Sequence, residues 1–125
     1  MIEKIFTEKA PKAIGPYSQA VVCNGLVYTS GQIASNPSSG EIEGENIGEQ
    51  TKVVCENLKA ILNSLNLDFS RVVKTTCFLK DMNDFAEFNK VYGEYFASKP
   101  ARSCVEVSKL PKNALVEVEI IAKLT

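Results

Sequence analysis

Apolar and polar residues alternate along the chain in two different periods, which divide it into strands and helices. Residues 19–23 and 26–30 have strand character and flank Asn24-Gly25. This dipeptide favours a two-residue hairpin turn, because both turn positions need a positive φ. Residues 1–7 predict a further short strand, and the polar, glycine-containing stretch 36–44 predicts a surface loop. The first third of the chain is therefore predicted to be a strand followed by a β-hairpin.

Helical spacing replaces this alternation further along the chain. Asn46, followed three residues later by Glu49, is typical of a helix N-terminus. The helix predicted over about residues 47–65 has one apolar stripe, formed by Val54, Leu58, Ile61, Leu62 and Leu65. A second helix is predicted from Asp84, with an aromatic face formed by Phe85, Phe88, Tyr92 and Phe96. Ser98-Lys99-Pro100 should end it, because the residue before a proline disfavours helical angles.

Three more strands are predicted over residues 72–80, 103–107 and 116–124, which are rich in β-branched residues. The resulting order is β-β-β-α-β-α-β-β. It predicts one α+β domain over residues 1–125, with a mixed sheet and both helices on one face of that sheet.

The faces of two strands show what the sheet should bury. The last strand has an apolar row that is expected to meet the helices, formed by Val116, Val118, Ile120, Ala122 and Leu124. Strand 72–80 is apolar on both faces, with Val73, Thr75, Cys77 and Leu79 on one and Val72 and Phe78 on the other. We therefore expect the second face of the sheet to be buried against other copies in a closed homo-oligomer.

Composition excludes several kinds of chemistry. The chain has no histidine, which excludes Ser-His-Asp and Cys-His catalysis and histidine-ligated metals. Its four cysteines are widely spaced without a CxxC pair, so they are interpreted as buried, reduced thiols, and no metal site is predicted. A net charge of −1, with scattered lysines, does not favour nucleic acid as a partner. No apolar run approaches the ~18 residues of a membrane span, so we expect a cytoplasmic protein without membrane contacts.

A few polar residues are candidates for chemistry. Arg102 follows Pro100 at the start of a strand, where its guanidinium could hold a carboxylate through two hydrogen bonds. The alternative is an ion pair within the chain, with Glu106, Glu117 or Glu119. Cys104 could be a nucleophile only if its thiol pKa were lowered, so its backbone N–H is the favoured contribution to anion binding.

The remaining candidates are also open to structural interpretations. Glu117 and Glu119 share one face of a strand, with Cα atoms roughly 6.6–6.8 Å apart. Such a pair could be the two carboxylates of a glycosidase, but ion-paired or solvated glutamates are commoner. Tyr17 and Ser30 lie beside glycines, and a tyrosine there is more often packed than catalytic. Asn89 lies near the aromatic face of the second helix, where a buried amide needs partners and could bind a ligand.

Several motifs, taken together, give a more specific indication. They are IGPYSQA at 14–20, TSGQI at 29–33, VVKTTCFLKDMNDFAEFN at 72–89, PARSCVEV at 100–107 and LPKNALVEVE at 110–119. In this combination the chain resembles the reactive intermediate deaminases, the Rid or YjgF family, once described as translation inhibitors or endoribonucleases. The resemblance implies a chorismate-mutase-like fold and a homotrimer with a central barrel, whose three sites lie in clefts between subunits. It implies no metal and no organic cofactor.

The resemblance also implies a reaction and its residues. The family hydrolyses 2-aminoacrylate and related enamines or imines, released by pyridoxal-phosphate-dependent dehydratases, to 2-keto acids and ammonia. Arg102 would hold the substrate carboxylate, helped by the Cys104 N–H, and Glu119 would act at the imine through a water. The pocket would be lined by Tyr17, Ser30, Gly31 and Asn89. The alternatives are a trimer that binds a small carboxylate without turnover and, less favoured by the charge, an endoribonuclease or translation inhibitor.

Overall fold

A computed structural model describes residues 1–125 and has the predicted order of strands and helices. The strands are β1 (Glu3–Ile5), β2 (Ala20–Cys23), β3 (Leu26–Thr29), β4 (Val72–Leu79), β5 (Ala101–Glu106) and β6 (Val116–Lys123). Helix α1 (Ile47–Ser64) joins β3 to β4, and helix α2 (Phe85–Tyr95) joins β4 to β5. Single turns of 3-10 helix, which the pattern did not predict, lie at Phe69–Arg71, Met82–Asp84 and Pro111–Asn113.

The strands form one six-stranded sheet in the order β1-β2-β3-β6-β4-β5. Only the β4–β5 pair is parallel, as expected for two strands joined by a helix. The hairpin between β2 and β3 turns at Asn24 and Gly25, whose φ values of 52° and 76° confirm the predicted turn. The mixed α+β sheet with two helices is therefore confirmed, and β5 forms one edge of the sheet.

Local signals at the start of α1 work as predicted. The Asn46 side chain accepts a hydrogen bond from Glu49 N at 2.9 Å. The Glu49 carboxylate accepts one from Glu45 N at 2.8 Å. The first bond satisfies a backbone donor that the first helical turn leaves unpaired, and the second ties the residue before the cap to that turn.

The core lies between the helices and one face of the sheet, here called the helix-covered face. The apolar row of β6 is buried there as predicted, at Val116, Val118, Ile120 and Ala122. The stripe of α1 packs against it through Val54, Leu58, Ile61 and Leu62. Burying this many large apolar side chains is what makes the chain fold, because each stabilises the fold by about 1.5–3 kcal/mol.

Two expectations about β4 and α2 were wrong in detail. A β-bulge between Val72 and Lys74 shifts the register of β4 against β6. As a result Val72 is buried with Thr75, Cys77 and Leu79, whereas Val73 is 45% exposed on the opposite face. Helix α2 ends at Tyr95, before Ser98-Lys99-Pro100, and β5 begins immediately after that proline.

The second face of the sheet, here called the open face, is partly apolar, as predicted. It exposes large apolar side chains from three strands: Tyr28 at 40%, Val73 at 45% and Val105 at 47%.

Neither helix of the chain is both long and apolar enough to cross a bilayer.

Candidate functional site

Arg102 lies on the edge strand β5 and points toward helix α2. Its Nη1 donates a hydrogen bond to Asn89 Oδ1 at 2.7 Å. Its Cζ lies 4.9 Å from the centroid of the Tyr92 ring and 5.3 Å from that of Phe85. These three α2 residues are spaced i, i+4 and i+7, so they project from one face of the helix. The sequence therefore places a guanidinium against one amide and two aromatic rings.

The partner of Arg102 is thus a neutral amide, and the ion pair considered from sequence does not form. Glu106 instead accepts a hydrogen bond from Met82 N at 2.9 Å. Glu117 and Glu119 belong to the row of β6 that faces away from the helices. A cation whose hydrogen-bond partner is neutral keeps its charge available to an anionic ligand.

Cys104 lies two residues further along β5, on the same side as Arg102. Burial raises the pKa of its thiol, and the nearby Arg102 only partly offsets this. A neutral thiol is a poor nucleophile, which supports the backbone interpretation. Val107 N donates to Leu79 O at 2.9 Å. Because alternate N–H groups of a strand point to opposite sides, the Cys104 N–H points away from β4, to the free edge.

Of the four thiols predicted to be buried, Cys55 and Cys77 are core residues, whereas Cys23 and Cys104 are only half-buried. All four are free thiols. Burial raises the pKa of Cys77 to about 12, and it raises that of Cys55 further. Both side chains are fully buried, so their prediction as reduced core thiols is confirmed.

Gly31 and Glu117 come into close contact on the open face of the sheet. The chain after β3 pairs with β6, since Gln32 N donates to Val118 O at 2.9 Å and Val118 N donates to Gln32 O at 3.1 Å. A Cβ added at Gly31 would lie 2.0 Å from Glu117 Oε2. Only glycine therefore allows the Glu117 carboxylate to lie against the backbone here.

Glu117 is also the carboxyl group whose pKa is raised. Its side chain is half-buried, and this desolvation, followed by the nearby Glu119, raises its pKa. Glu119, the catalytic candidate from the sequence, is exposed, opposite Thr76 of β4. From the sequence Glu117 was considered beside Glu119 but was given no role in the site, and its position against Gly31 makes it a candidate here.

Ser30 directly precedes Gly31, and it binds the segment that follows Tyr17. The Ser30 hydroxyl donates to Ser18 O at 2.6 Å, and Ser30 N donates to Gln19 O at 2.9 Å. Tyr17 is 50% exposed, and its hydroxyl accepts from Ile14 N at 3.3 Å. A cavity of about 470 Å³ opens beside them; its walls include Lys12, Tyr17, Gly31, Ile33, Pro111 and Lys112.

Gln19 fixes the loop that carries Tyr17. Its side chain accepts from Thr7 N at 2.6 Å and donates to Thr7 O at 3.0 Å and Pro11 O at 2.8 Å. Buried and fully used in these bonds, Gln19 is a structural part of the IGPYSQA motif.

The predicted site residues therefore form two groups in one chain. The arginine half-site consists of Arg102, Asn89 and Cys104. The glutamate half-site consists of the predicted Tyr17, Ser30, Gly31 and Glu119, together with Glu117, which was not a predicted site residue. Arg102 is in register with Thr75 and Ile120, both buried on the helix-covered face, whereas Glu117 is in register with Phe78 on the open face. The sheet separates the two half-sites, so one chain does not bring them together.

Comparison with known proteins identifies the family. Residues 7–124 match the family model described as endoribonuclease L-PSP. The chain belongs to this family, the Rid or YjgF family. A RutC family protein of Pyrococcus abyssi is 57% identical over 121 residues, which are 96% of this chain and 95% of that protein.

Solved structures of Rid relatives share the fold over the whole chain. The Rid protein YyfA of Yersinia pestis is 46% identical with a TM-score of 0.95, covering 98% of this chain and 99% of that one. The structure of Escherichia coli TdcF with bound serine is 42% identical with a TM-score of 0.91, covering 97% and 98%.

Proposed function

We propose that this protein hydrolyses 2-aminoacrylate and related 2-enamines and 2-imines to 2-keto acids and ammonia. The observation that carries the proposal is the guanidinium of Arg102, half-buried, hydrogen-bonded to a neutral amide and covered by two rings. Such a group suits a carboxylate, which every 2-imino acid carries next to the reacting carbon. Membership of the Rid family makes the imine the expected neighbour of that carboxylate.

Binding would use the arginine half-site. Arg102 donates two parallel N–H groups to the substrate carboxylate, and the Cys104 N–H at the free edge of β5 donates a third hydrogen bond. Asn89 keeps Nη1 of Arg102 in place from the opposite side. Holding the carboxylate in this way fixes the position of the imine carbon for attack.

The chemistry would use the glutamate half-site. An enamine first takes a proton on carbon and gives up one from nitrogen, which converts it into the imine. Water then adds to the imine carbon, and the electron pair of the C=N bond takes a proton on nitrogen. The C–N bond of the resulting carbinolamine breaks, which releases ammonia and leaves the keto oxygen. Hydrolysis of the imine therefore consumes one water, both of whose protons end on the nitrogen, and no redox step is needed.

Glu117 is our candidate for these proton transfers. Its raised pKa leaves more of the acid form near neutral pH than an ordinary glutamate has, and the acid can protonate the nitrogen. Its carboxylate form can then take a proton from the attacking water. Glu119 remains the second candidate, because it lies two residues away on the same face.

The site would be completed by other copies of the chain. The two half-sites lie on opposite sides of one sheet, so a substrate can touch both only where one copy presents Arg102 to another copy's Glu117. The apolar open face, with Tyr28, Val73 and Val105, supplies a surface for that contact. A closed homotrimer provides three such clefts with equivalent interfaces.

A dehydratase-coupled assay tests this function. Threonine dehydratase releases the enamine of 2-oxobutanoate, and the appearance of the keto acid is followed with and without the protein. The proposal predicts faster keto-acid release with the wild type and buffer-level release with Arg102→Ala. It is wrong if the wild type gives no acceleration, or if Arg102→Ala is as active as the wild type.

Binding without turnover is the second candidate. The E. coli TdcF structure with bound serine favours it, because serine carries the same carboxylate next to a nitrogen-bearing carbon. In this case 2-oxobutanoate or serine would raise the melting temperature while the coupled assay stayed at the buffer rate.

Ribonuclease activity, suggested by the family description, is not expected of a chain with net charge −1 and no histidine. Activity on RNA that survived replacement of both Arg102 and Glu119 would indicate a contaminant.

A further inference from the structure

The surroundings of Arg102 contain more than its hydrogen bond to Asn89. Its guanidinium also lies over the rings of Phe85 and Tyr92, here called the aromatic platform. A guanidinium is a flat cation, and aromatic rings attract it through their faces. Rings that cover its face leave the N–H groups at its rim free to form hydrogen bonds in its own plane.

Tyr92 is held more rigidly than packing alone requires. Its hydroxyl is hydrogen-bonded to the buried Thr75 hydroxyl at 2.8 Å. Its ring stacks on Phe96 with centroids 4.3 Å apart and an interplanar angle of 21°, and it lies 5.3 Å from Phe88. Thr75 belongs to β4 and is the register partner of Arg102 itself. The same strand pair therefore fixes both the ring and the arginine that lies over it.

We propose that Tyr92, locked by Thr75, and Phe85 are positioning residues that fix the plane of the Arg102 guanidinium for a ligand carboxylate. Nη1 is used by Asn89, so the orientation of the plane decides whether the remaining N–H groups can bind a carboxylate through two bonds. A flexible arginine would have to lose rotamer freedom when it binds, whereas one already held over the rings has lost it beforehand.

This inference rests on the proposed role of Arg102 in binding the substrate carboxylate. It adds that part of the affinity for the carboxylate depends on Phe85 and Tyr92, two residues of α2 that do not touch the substrate. The simpler interpretation is that Tyr92 is only a core ring. The two interpretations differ in the affinity for a carboxylate ligand that they predict when the Tyr92 ring is replaced by an apolar side chain that still fills the core.

Calorimetric binding of 2-oxobutanoate separates them. Tyr92→Leu keeps an apolar side chain but removes the ring, and we expect about 5–30-fold weaker binding, the range of a partly desolvated cation–π contact. Tyr92→Phe keeps the ring and its stacking on Phe96 but loses the bond to Thr75, so it should weaken binding by about threefold at most, less than Tyr92→Leu does. In the coupled assay Tyr92→Leu should raise KM by the same factor as it weakens binding and change kcat less.

Phe88→Leu is the matched control. Phe88 is a fully buried ring on the same helix and touches Tyr92, but it does not lie over Arg102. The Phe88→Leu substitution should lower the melting temperature as Tyr92→Leu does, yet leave the affinity for 2-oxobutanoate unchanged. Equal losses of affinity in Tyr92→Leu and Phe88→Leu would show that packing, not the platform, is responsible, and would overturn the inference.

A second variant keeps the test decisive if Tyr92→Leu does not fold. Phe85 is only half-buried, so Phe85→Leu should fold, and we expect about 2–5-fold weaker binding because its ring is the more distant one. Unchanged affinity in Phe85→Leu would then overturn the inference. If the wild type hydrolyses imines while the platform variants bind normally, only the inference fails. If the wild type neither hydrolyses imines nor binds 2-oxobutanoate, the proposed function fails and the inference with it.

Discussion

The two half-sites are built by opposite means. Arg102 is surrounded by side chains: two rings cover its face and the amide of Asn89 takes one of its donors. Glu117 instead lies against a bare backbone at Gly31, where any side chain would displace it. The difference follows from charge. A guanidinium is stabilised by π faces and a neutral acceptor, whereas a carboxyl group that must exchange protons needs open space and partial desolvation.

This contrast separates recognition from proton transfer. In the arginine half-site Arg102 lies on β5 and is held against helix α2, which packs into the core, and this suits a fixed anchor for a carboxylate. The glutamate half-site borders the cavity beside Tyr17 and lies on the open face of the sheet. One chain therefore carries both half-sites but presents them in different directions. Variants of each half-site should fail in different ways, and the following predictions run from the largest expected effect to the smallest.

Arg102→Ala should lower kcat/KM for imine hydrolysis by about 1000-fold, because it removes two charge-assisted hydrogen bonds to the carboxylate. The melting temperature should change little, since the arginine is bound to a neutral amide. Arg71→Ala is the control: Arg71, the other arginine, is exposed in a 3-10 turn, and its loss should leave kcat/KM unchanged. Equal effects of the two substitutions would mean that the charge of Arg102 acts only at long range.

Glu117→Gln should lower kcat by about 100-fold, at the low end of acid–base effects because an imine is already electrophilic. The affinity for 2-oxobutanoate should be retained, since the carboxylate is held by the other half-site. Glu119→Gln, on the same face but exposed, should change kcat by less than about threefold. The reverse order, with Glu119 the more sensitive residue, would return the catalytic role to the glutamate that the sequence motif suggested.

Gly31→Ala should lower kcat by about 10-fold, because the added methyl group occupies the place of the Glu117 carboxylate and misplaces it. Gly93→Ala in α2 is the matched control. A Cβ there meets nothing within 4 Å, so it should leave kcat unchanged and stabilise the helix by about 1 kcal/mol. Calorimetry and the coupled assay check both variants, and an unaffected kcat in Gly31→Ala would contradict the close approach.

The difference in pH-dependent stability between the wild type and Glu117→Gln should report on Glu117. Because its pKa in the folded chain is raised above the ordinary 4.5, the folded state binds this proton more tightly than the unfolded state does. Its contribution to stability is present below pH 4.5 and is lost as the pH rises through the raised folded pKa. Glu117→Gln should remove that decline and raise the melting temperature at pH 7 relative to the wild type. If the melting temperatures of the two proteins changed in parallel between pH 4 and pH 7, the raised pKa would be contradicted.

The sequence predicted the fold well because its signals are local. The hairpin follows from Asn24-Gly25, α1 from its cap and apolar stripe, and the buried row of β6 from simple alternation. The exchange of Val72 and Val73 between faces was missed because a β-bulge is a property of strand pairing. Sheet order, likewise, depends on contacts between distant residues.

The site was predicted less completely, for a related reason. Arg102 and Asn89 were both candidates, but their contact depends on how α2 packs on β5. Choosing between Glu117 and Glu119 required the pairing of Gln32 with Val118, which brings Gly31 to one of them. Tyr92 was predicted only as a core aromatic residue. Its position over the guanidinium is a tertiary contact that periodicity does not reveal.

The central claim is that a complete site combines the arginine half-site of one copy with the glutamate half-site of another. Co-expression of Arg102→Ala and Glu117→Gln chains with different tags, followed by purification on both tags, yields assemblies that contain both variants. Each mixed trimer should hold one intact site, so the coupled assay should recover roughly one third of the wild-type activity. Activity no higher than that of the separate variants would contradict the claim.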